Sequence, residues 1–180
     1  MKFLKWFVLF LMLLGLNNSY AQLEKGNLLI GGGVGLSLQF EDGDNVFGLS
    51  LNPSALSLVS NNIAVGGALG LSYINGDQFS STSISFLPAG RFYFSGENEN
   101  LAFYVDAQAG VQIVRASFNG NSDTETVMTY RFGPGVSYFI SDEVSIDTGL
   151  LFNHVGGEFD RSSLNLTMGL QVFLRGKDEE

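Results

Sequence analysis

His154 is the single histidine of the 180-residue chain and cysteine is absent, so few side chains could carry acid–base or nucleophilic chemistry. A serine nucleophile needs a base within hydrogen-bond reach and a third group to orient that base. Ser145 and Asp147 lie near His154 in sequence, in a segment whose apolar residues alternate. Alternation sets them on the face opposite His154 and Phe152. His154 therefore reads as an exposed rim residue, and no catalytic residue is assigned. The run Gly-Gly-Gly-Val-Gly at 31–35 has the glycine density of a phosphate loop. It lacks the Lys-Ser/Thr pair and a following helix, so nucleotide binding is not expected. Asn165-Leu166-Thr167 is a formal glycosylation sequon inside a strand and carries no weight. Without cysteine, disulfides, thiolate metal sites and a lipidated N-terminal cysteine are excluded, and one histidine cannot build a His-rich metal site. No cofactor and no metal are expected.

The remaining candidates are charges. Arg91, Asp106, Arg131 and Asp147 fall on four consecutive candidate strands, alternate in sign, and all point to the face opposite the apolar one. In an enclosed space such charges should pair, because an unpaired buried charge is costly. The structural reading is a lumen charge network that plugs a barrel. The functional alternative is a selective ion path.

The elements that must position these charges follow from composition and periodicity. Glycine supplies 23 of 180 residues, against an ordinary share of about 7%. Lys and Arg number 9 against 18 Asp and Glu, a net charge of −9 that argues against nucleic-acid binding. Hydrophobic residues make up 45%, which is too many for disorder. Lys2 and Lys5 precede an apolar run from Trp6 to Leu16, and Ser19-Tyr20-Ala21 places small residues at −3 and −1. This is the pattern of a secretory signal cleaved after Ala21. The run is short of the roughly 20 apolar residues of a membrane-spanning helix. Loss of Lys2 and Lys5 takes the net charge from −9 to −11.

Beyond the signal, the pattern has period two, the mark of strands. In 63–73, Ile63, Val65, Leu69, Leu71 and Tyr73 oppose Ala64, Gly66, Ala68, Gly70 and Ser72. The segments 28–40, 101–113 and 164–174 alternate likewise, and 47–59, 82–94, 125–140 and 144–155 complete a set of eight. Tight turns at Ser60-Asn61-Asn62 and Ser141-Asp142-Glu143, with a slightly longer one at 95–100, alternate with mostly longer polar connections at 41–46, 74–81, 116–124 and 156–162. Short turns at one end and long loops at the other are the asymmetry of an outer-membrane barrel, and an even strand number brings both termini to the short-turn, periplasmic end. Pro53, Pro88 and Pro134 recur about eight residues before each turn, as if one hairpin were repeated. Proline has no amide to donate, so bulges or missing ladder bonds are expected there.

Alternation does not say which face meets solvent. A lipocalin-like barrel puts the apolar face inside, and an outer-membrane barrel puts it against lipid. On the apolar face, Phe40, Phe47, Tyr73, Tyr130 and Phe152 gather near the long-loop ends, and Phe92, Phe94, Phe103 and Tyr138 near the short-turn ends. Two aromatic belts around an aliphatic band favour the membrane arrangement. The opposite face is small and polar, with room for inward Tyr93, Tyr104, Phe139 and Phe173. Phe173 is expected to cover the Gly31, Gly33 and Gly35 stripe if the last strand pairs with the first.

The signal peptide, the NPSALSLVSNNIAVGGALGLSY segment, the FLPAGRFYF arm and the Gly-rich alternating strands resemble the small outer-membrane β-barrels of Gram-negative bacteria, the OmpA-like and OmpX-like domains and porin-family barrels. The resemblance spans 24–174 and implies an all-β fold, an eight-stranded antiparallel up-and-down transmembrane β-barrel. The expected organisation is a signal peptide over 1–21, a barrel over 22–174 and a charged periplasmic tail over 175–180. The family often ends on a C-terminal aromatic read by the assembly machinery. Here Leu174 and the charged RGKDEE tail follow Phe173. Expected partners are outer-membrane lipids and, during insertion, the barrel assembly machinery, with no nucleic acid. The implied role is non-catalytic, structural or in surface contacts. The alternatives are a narrow porin-like channel, a secretion accessory barrel and a lipid-A-modifying enzyme. For the last, the His-x-Ser spacing of one deacylase family is missing, since Val155 and Gly156 follow His154. On fractionation, the mature chain should stay with membranes until detergent is added. Recovery in the soluble periplasmic fraction would refute the membrane assignment.

Overall fold

Eight alternating segments joined by turns can satisfy every backbone donor and acceptor of the wall only if the last strand returns to the first. The last strand does return to the first, over Leu28–Val34 and Met168–Leu174. The structure, a computed structural model, describes residues 23–41, 44–76, 79–95, 100–118, 121–157 and 161–176, and the side chains of all of these except 36–41, 44–46, 95 and 161. The expected signal peptide, tail residues 177–180 and the side chain of Phe40 lie outside the described residues. The strands are β1 (Leu28–Glu41), β2 (Asp44–Ser60), β3 (Ile63–Asn75), β4 (Phe79–Ser95), β5 (Leu101–Phe118), β6 (Asn121–Ser141), β7 (Val144–Val155) and β8 (Arg161–Leu174). They form one closed barrel in which each strand pairs antiparallel with its sequence neighbours and β8 returns to β1.

The register sets the width. Starting from Leu28 and stepping through paired residues Ser57, Val65, Gly90, Ala107, Phe132 and Phe152 leads to Leu164 on β8. The direct β8 partner of Leu28 is Leu174, ten residues further along. A stagger of ten over eight strands implies a tilt of about 40°, and leaves an interior that side chains can fill.

The apolar face is outside. Leu69, Leu71, Ile113 and Leu166 are exposed, whereas their sequence neighbours Ala68, Gly70, Gln112 and Val114 are buried. Inside, the short-turn end is sealed by an apolar layer that includes Leu29, Leu58, Tyr93, Phe139 and Phe173, with Leu23 from the N-terminal segment packed into it. Phe173 stands opposite Leu29 and packs on Phe139 with ring centroids 5.3 Å apart. It therefore completes this layer and does not cover the glycine stripe, because the register sets Gly31 and Gly33 opposite Gln171 and Gly169. Both described chain ends lie at this end of the barrel, where the Gly176 amide donates to Asn27 Oδ1 at 3.1 Å.

β4, β5 and β6 run further toward the long-loop end than the alternation of apolar residues suggests. The segment expected as a loop at 116–124 is largely ladder, paired through Phe118 and Asn121. Backbone pairing needs no apolar side chains, so the hairpin continues where the apolar pattern stops. At the three prolines the ladder toward the following strand skips a step. Paired residues jump from Leu51–Leu71 to Ser54–Ala68, from Phe86–Val111 to Ala89–Gln108, and from Phe132–Phe152 to Gly135–Gly149, each time without change of register. Bonds are missing, as the absent amide requires. The register shifts that do occur lie at the short turns, between Leu58 and Ser60 and between Phe139 and Ser141.

Leu69 is the middle residue of β3 and exposed, and Ala68 beside it is buried in the lumen. A charge at the midplane of a barrel wall costs about 2–4 kcal/mol. Leu69→Arg should lower the folded fraction, read as the band shift on unheated gels. Ala68→Arg should also fail, since it would bring a third guanidinium into the lumen space that Arg91 and Arg131 line, and Ala68→Ser should be mild. Harmless Ala68→Arg in a protein soluble without detergent would show that the wall faces water.

Candidate functional site

Arg91 reaches across the lumen from β4. Asp106 is its paired neighbour on β5, while Asp147 on β7 and Gln171 on β8 come from the opposite wall. Arg91 Nε and Nη2 donate to Asp106 Oδ2 at 3.1 and 3.0 Å, and Nη1 donates to Asp147 Oδ2 at 2.6 Å, to Gln171 Oε1 at 2.8 Å and to the Tyr93 hydroxyl at 3.2 Å. The other carboxylate oxygens are occupied as well. Gln108 Nε2 donates to Asp106 Oδ1 at 3.0 Å and Ser145 Oγ to Asp147 Oδ1 at 2.7 Å. The Tyr104 ring lies under the guanidinium, 4.0 Å from Cζ to its centroid, a cation–π contact in a desolvated place. Arg91, Asp106 and Asp147 are all buried. Tyr104 fits because residue 135 is glycine. A Cβ there would fall 2.2 Å from Tyr104 Cζ.

Arg131, the fourth expected member, does not join this cluster. Its Nε donates to Asn153 Oδ1 at 3.1 Å and its Nη1 to Asn52 Oδ1 at 2.9 Å. Arg91 forms ion pairs with both Asp106 and Asp147. The reason is position: Arg131 pairs with Gln108, two residues further along β5 than Asp106, and its nearest acceptors are amides. Asn52 and Asn153 carried no signal in the sequence beyond facing inward. A cavity of about 90 Å³ lies between the two arginines and is lined by both.

His154 is on the outer face. Its Nδ1 lies 3.1 Å from Ser162 Oγ, its register partner on β8, and its ring is 4.8 Å from that of Tyr130. Directly opposed residues of neighbouring strands meet in this way without any functional cause. Ser145 and Asp147 are inside the lumen, hydrogen-bonded to each other. Among the described residues, no group of three metal-ligating side chains occurs.

Of the expected belt residues, Phe47, Tyr73, Phe103, Tyr130 and Tyr138 are exposed, and Phe92, Phe94 and Phe152 are half-buried. Phe92 and Phe94 meet edge to face at 4.9 Å. The aliphatic band between the belts is not free of aromatics. Phe86, paired with mid-strand Leu69, is exposed on the same face, and so is Phe132, which packs on Phe152 with centroids 5.2 Å apart. Phe86 also leans toward Gly67, where it covers bare backbone. Tyr130, Phe132, Phe152 and His154 make one ring cluster across β6 and β7.

No protein-family model and no curated protein matches the sequence. Solved structures do match. Neisserial surface protein A aligns over 82% of this chain and 97% of its own, with 18% identity and a TM-score of 0.60. The N-terminal β-barrel domain of Pseudomonas aeruginosa OprF gives 83% and 98%, 14% identity and 0.57. Ail, the attachment invasion locus protein of Yersinia pestis, gives 83% and 99%, 18% identity and 0.55. This chain has the closed eight-stranded up-and-down fold of these small outer-membrane barrels.

Proposed function

We propose that the chain is an integral outer-membrane protein with both termini in the periplasm and a lumen closed by side chains. Its role is non-catalytic, in envelope structure or surface contacts. The observation that carries this reading is the inside-out wall, apolar toward the surroundings and polar toward the axis, above an apolar seal and the Arg91 cluster. A lumen crossed by a guanidinium bonded to two strand pairs offers ions no continuous water path at that level. Lipid-A modification has less support: the His154–Ser162 contact is the ordinary meeting of register partners, and the carboxylates of the lumen are on the other side of the wall.

In planar bilayers the refolded protein should give no stable openings, and reproducible single-channel steps would favour the narrow-channel reading. Lipid A from cells making the protein should have the same mass profile with Ser162→Ala as with the parent. A modification that disappears with Ser162→Ala would make the protein an enzyme. The cluster also predicts an order of stabilities. Removing one partner of a buried ion pair costs about 3–5 kcal/mol, whereas neutralising all partners can cost little. Arg91→Met alone should lower the folded fraction more than Arg91→Met combined with Asp106→Asn and Asp147→Asn, as read by the urea midpoint of the gel shift. Equal losses would show that the three charges do not act together.

A further inference from the structure

Two features of the upper barrel have no part in the seal. The first is in the wall. β1 and β8 pair only from Leu28–Leu174 to Val34–Met168. Yet β1 continues to Glu41 beside β2, and β8 begins at Arg161 beside β7. Among the described residues, no strand pairs with the free edge of β1 beyond Val34 or with that of β8 before Met168. The wall therefore has a slit from mid-height toward the long-loop rim. The outer face of β8 is exposed on both sides of this point, through Leu164 and Leu166 on the unpaired part and Met168 and Leu170 on the paired part. Ser163 and Asn165, on the lumen face of β8, are exposed as well.

The second feature is Arg131. It is a cation in the lumen with two amide oxygens for partners, and its Nη2 donors are left over. Residue 70 is glycine, and a Cβ there would collide with Ser85 Oγ and come within 3.2 Å of Nη2, so the missing side chain is what makes room for both groups. The cavity of about 90 Å³ below Arg131 reaches the foot of the slit, where Gly33, Thr167 and Met168 line it. Two donors here have no partner, Nη2 of Arg131 and the buried Nε2 of Gln171, and both residues line the cavity.

A polar cavity that opens sideways through an apolar wall is matched by a molecule polar at one end and apolar at the other. We propose that the slit and cavity form a lateral binding site for an anionic amphiphile. Its carboxylate or phosphate head sits against Arg131, Asn52 and Asn153, and its acyl chain leaves between β1 and β8 over Leu164, Leu166 and Met168. The site lies above the seal and rests on the membrane reading of the wall. The charged head meets donors in the lumen and the hydrocarbon tail meets lipid, so neither end is stranded.

The test uses the mature chain folded in a neutral maltoside detergent, with folding checked by the gel shift for every variant. Trp6, the only tryptophan, lies in residues 1–21, so Leu166→Trp gives a single reporter on the slit and Phe86→Trp one on the β4 face. Dibrominated stearate should quench Leu166→Trp saturably and Phe86→Trp only in proportion to its content in the micelle. Loss of a charge-assisted contact is worth about tenfold or more in affinity. Adding Arg131→Gln should weaken saturable quenching by that factor, and Arg131→Lys should retain most of it. In native mass spectrometry, oleate and a phosphatidic acid should each give one adduct per chain, with oleyl alcohol and inorganic phosphate at least about tenfold weaker. Equal quenching at both reporters, or unchanged binding with Arg131→Gln, would overturn the proposal. Inorganic phosphate binding as tightly as oleate would overturn the part played by the slit. If Arg131→Gln does not fold, the two reporters on chains that keep Arg131 still decide. A folded protein that binds neither lipid loses only this site, whereas a protein soluble without detergent loses the membrane reading as well.

Discussion

The backbone of the wall must find its hydrogen-bond partners within the wall, and the rest of this barrel depends on that constraint. In hydrocarbon each unpaired amide or carbonyl costs several kcal/mol, and a closed ladder is the only sheet that avoids the cost. Three skipped steps occur where Pro53, Pro88 and Pro134 have no amide to give. They are spread over β2, β4 and β6, and each is flanked on both sides by paired residues of unchanged register, so the ladder carries on past them. The other gap is of a different kind. Between β1 and β8 the ladder stops at mid-height and does not resume among the described residues. A single missing proton can be tolerated locally, but a run of free edge needs water from the lumen or a bound molecule beside it.

The closed ladder also fixes what the lumen can hold. Eight strands with a stagger of ten leave space for side chains, and the chain fills it in layers. Apolar groups seal the short-turn end. Next comes the guanidinium of Arg91, which ties β4 and β5 to β7 and β8 through Asp106, Asp147 and Gln171. Buried ion pairs add little net stability by themselves, since desolvation offsets attraction. Their effect here is on geometry: bonds with fixed directions from opposite walls oppose flattening of a narrow barrel, which apolar packing alone would resist less.

Much of this was legible because alternation is strict. The inward direction of Arg91, Asp106, Arg131 and Asp147 follows from counting residues, and opposition of Arg91 and Asp106 follows from a hairpin of the expected length. What periodicity does not carry is height. Phe86 and Phe132 were hidden by this, because tilt moves neighbouring strands past one another and counting from a turn misjudges level. The same cause moved Phe173 from the glycine stripe to the sealing layer, a consequence of the β1–β8 register, which depends on the stagger of the whole barrel. The upper ends of β5 and β6 were hidden for another reason: hydrophobic contrast ends with the apolar band, and pairing does not.

Arg91 and Arg131 show how far residue type is from role. Both point inward on neighbouring parts of one lumen, and by sequence they are equivalent members of one alternating set. Arg91 stands directly opposite Asp106 in the β4–β5 pair, so its charge is neutralised within the fold and all three of its nitrogens donate. Arg131 pairs with Gln108, and its acceptors are the neutral oxygens of Asn52 and Asn153. Amides orient a guanidinium without cancelling its charge. A shift of two residues along β5 therefore separates a cation used up in holding the walls from one held in place and left positive. The second is also the one beside the opening in the wall. That coincidence links the two, because Asp106, the carboxylate that acts on Arg131, is already bonded to Arg91, and the slit is the side from which an amphiphilic anion in the surrounding lipid would reach the second guanidinium.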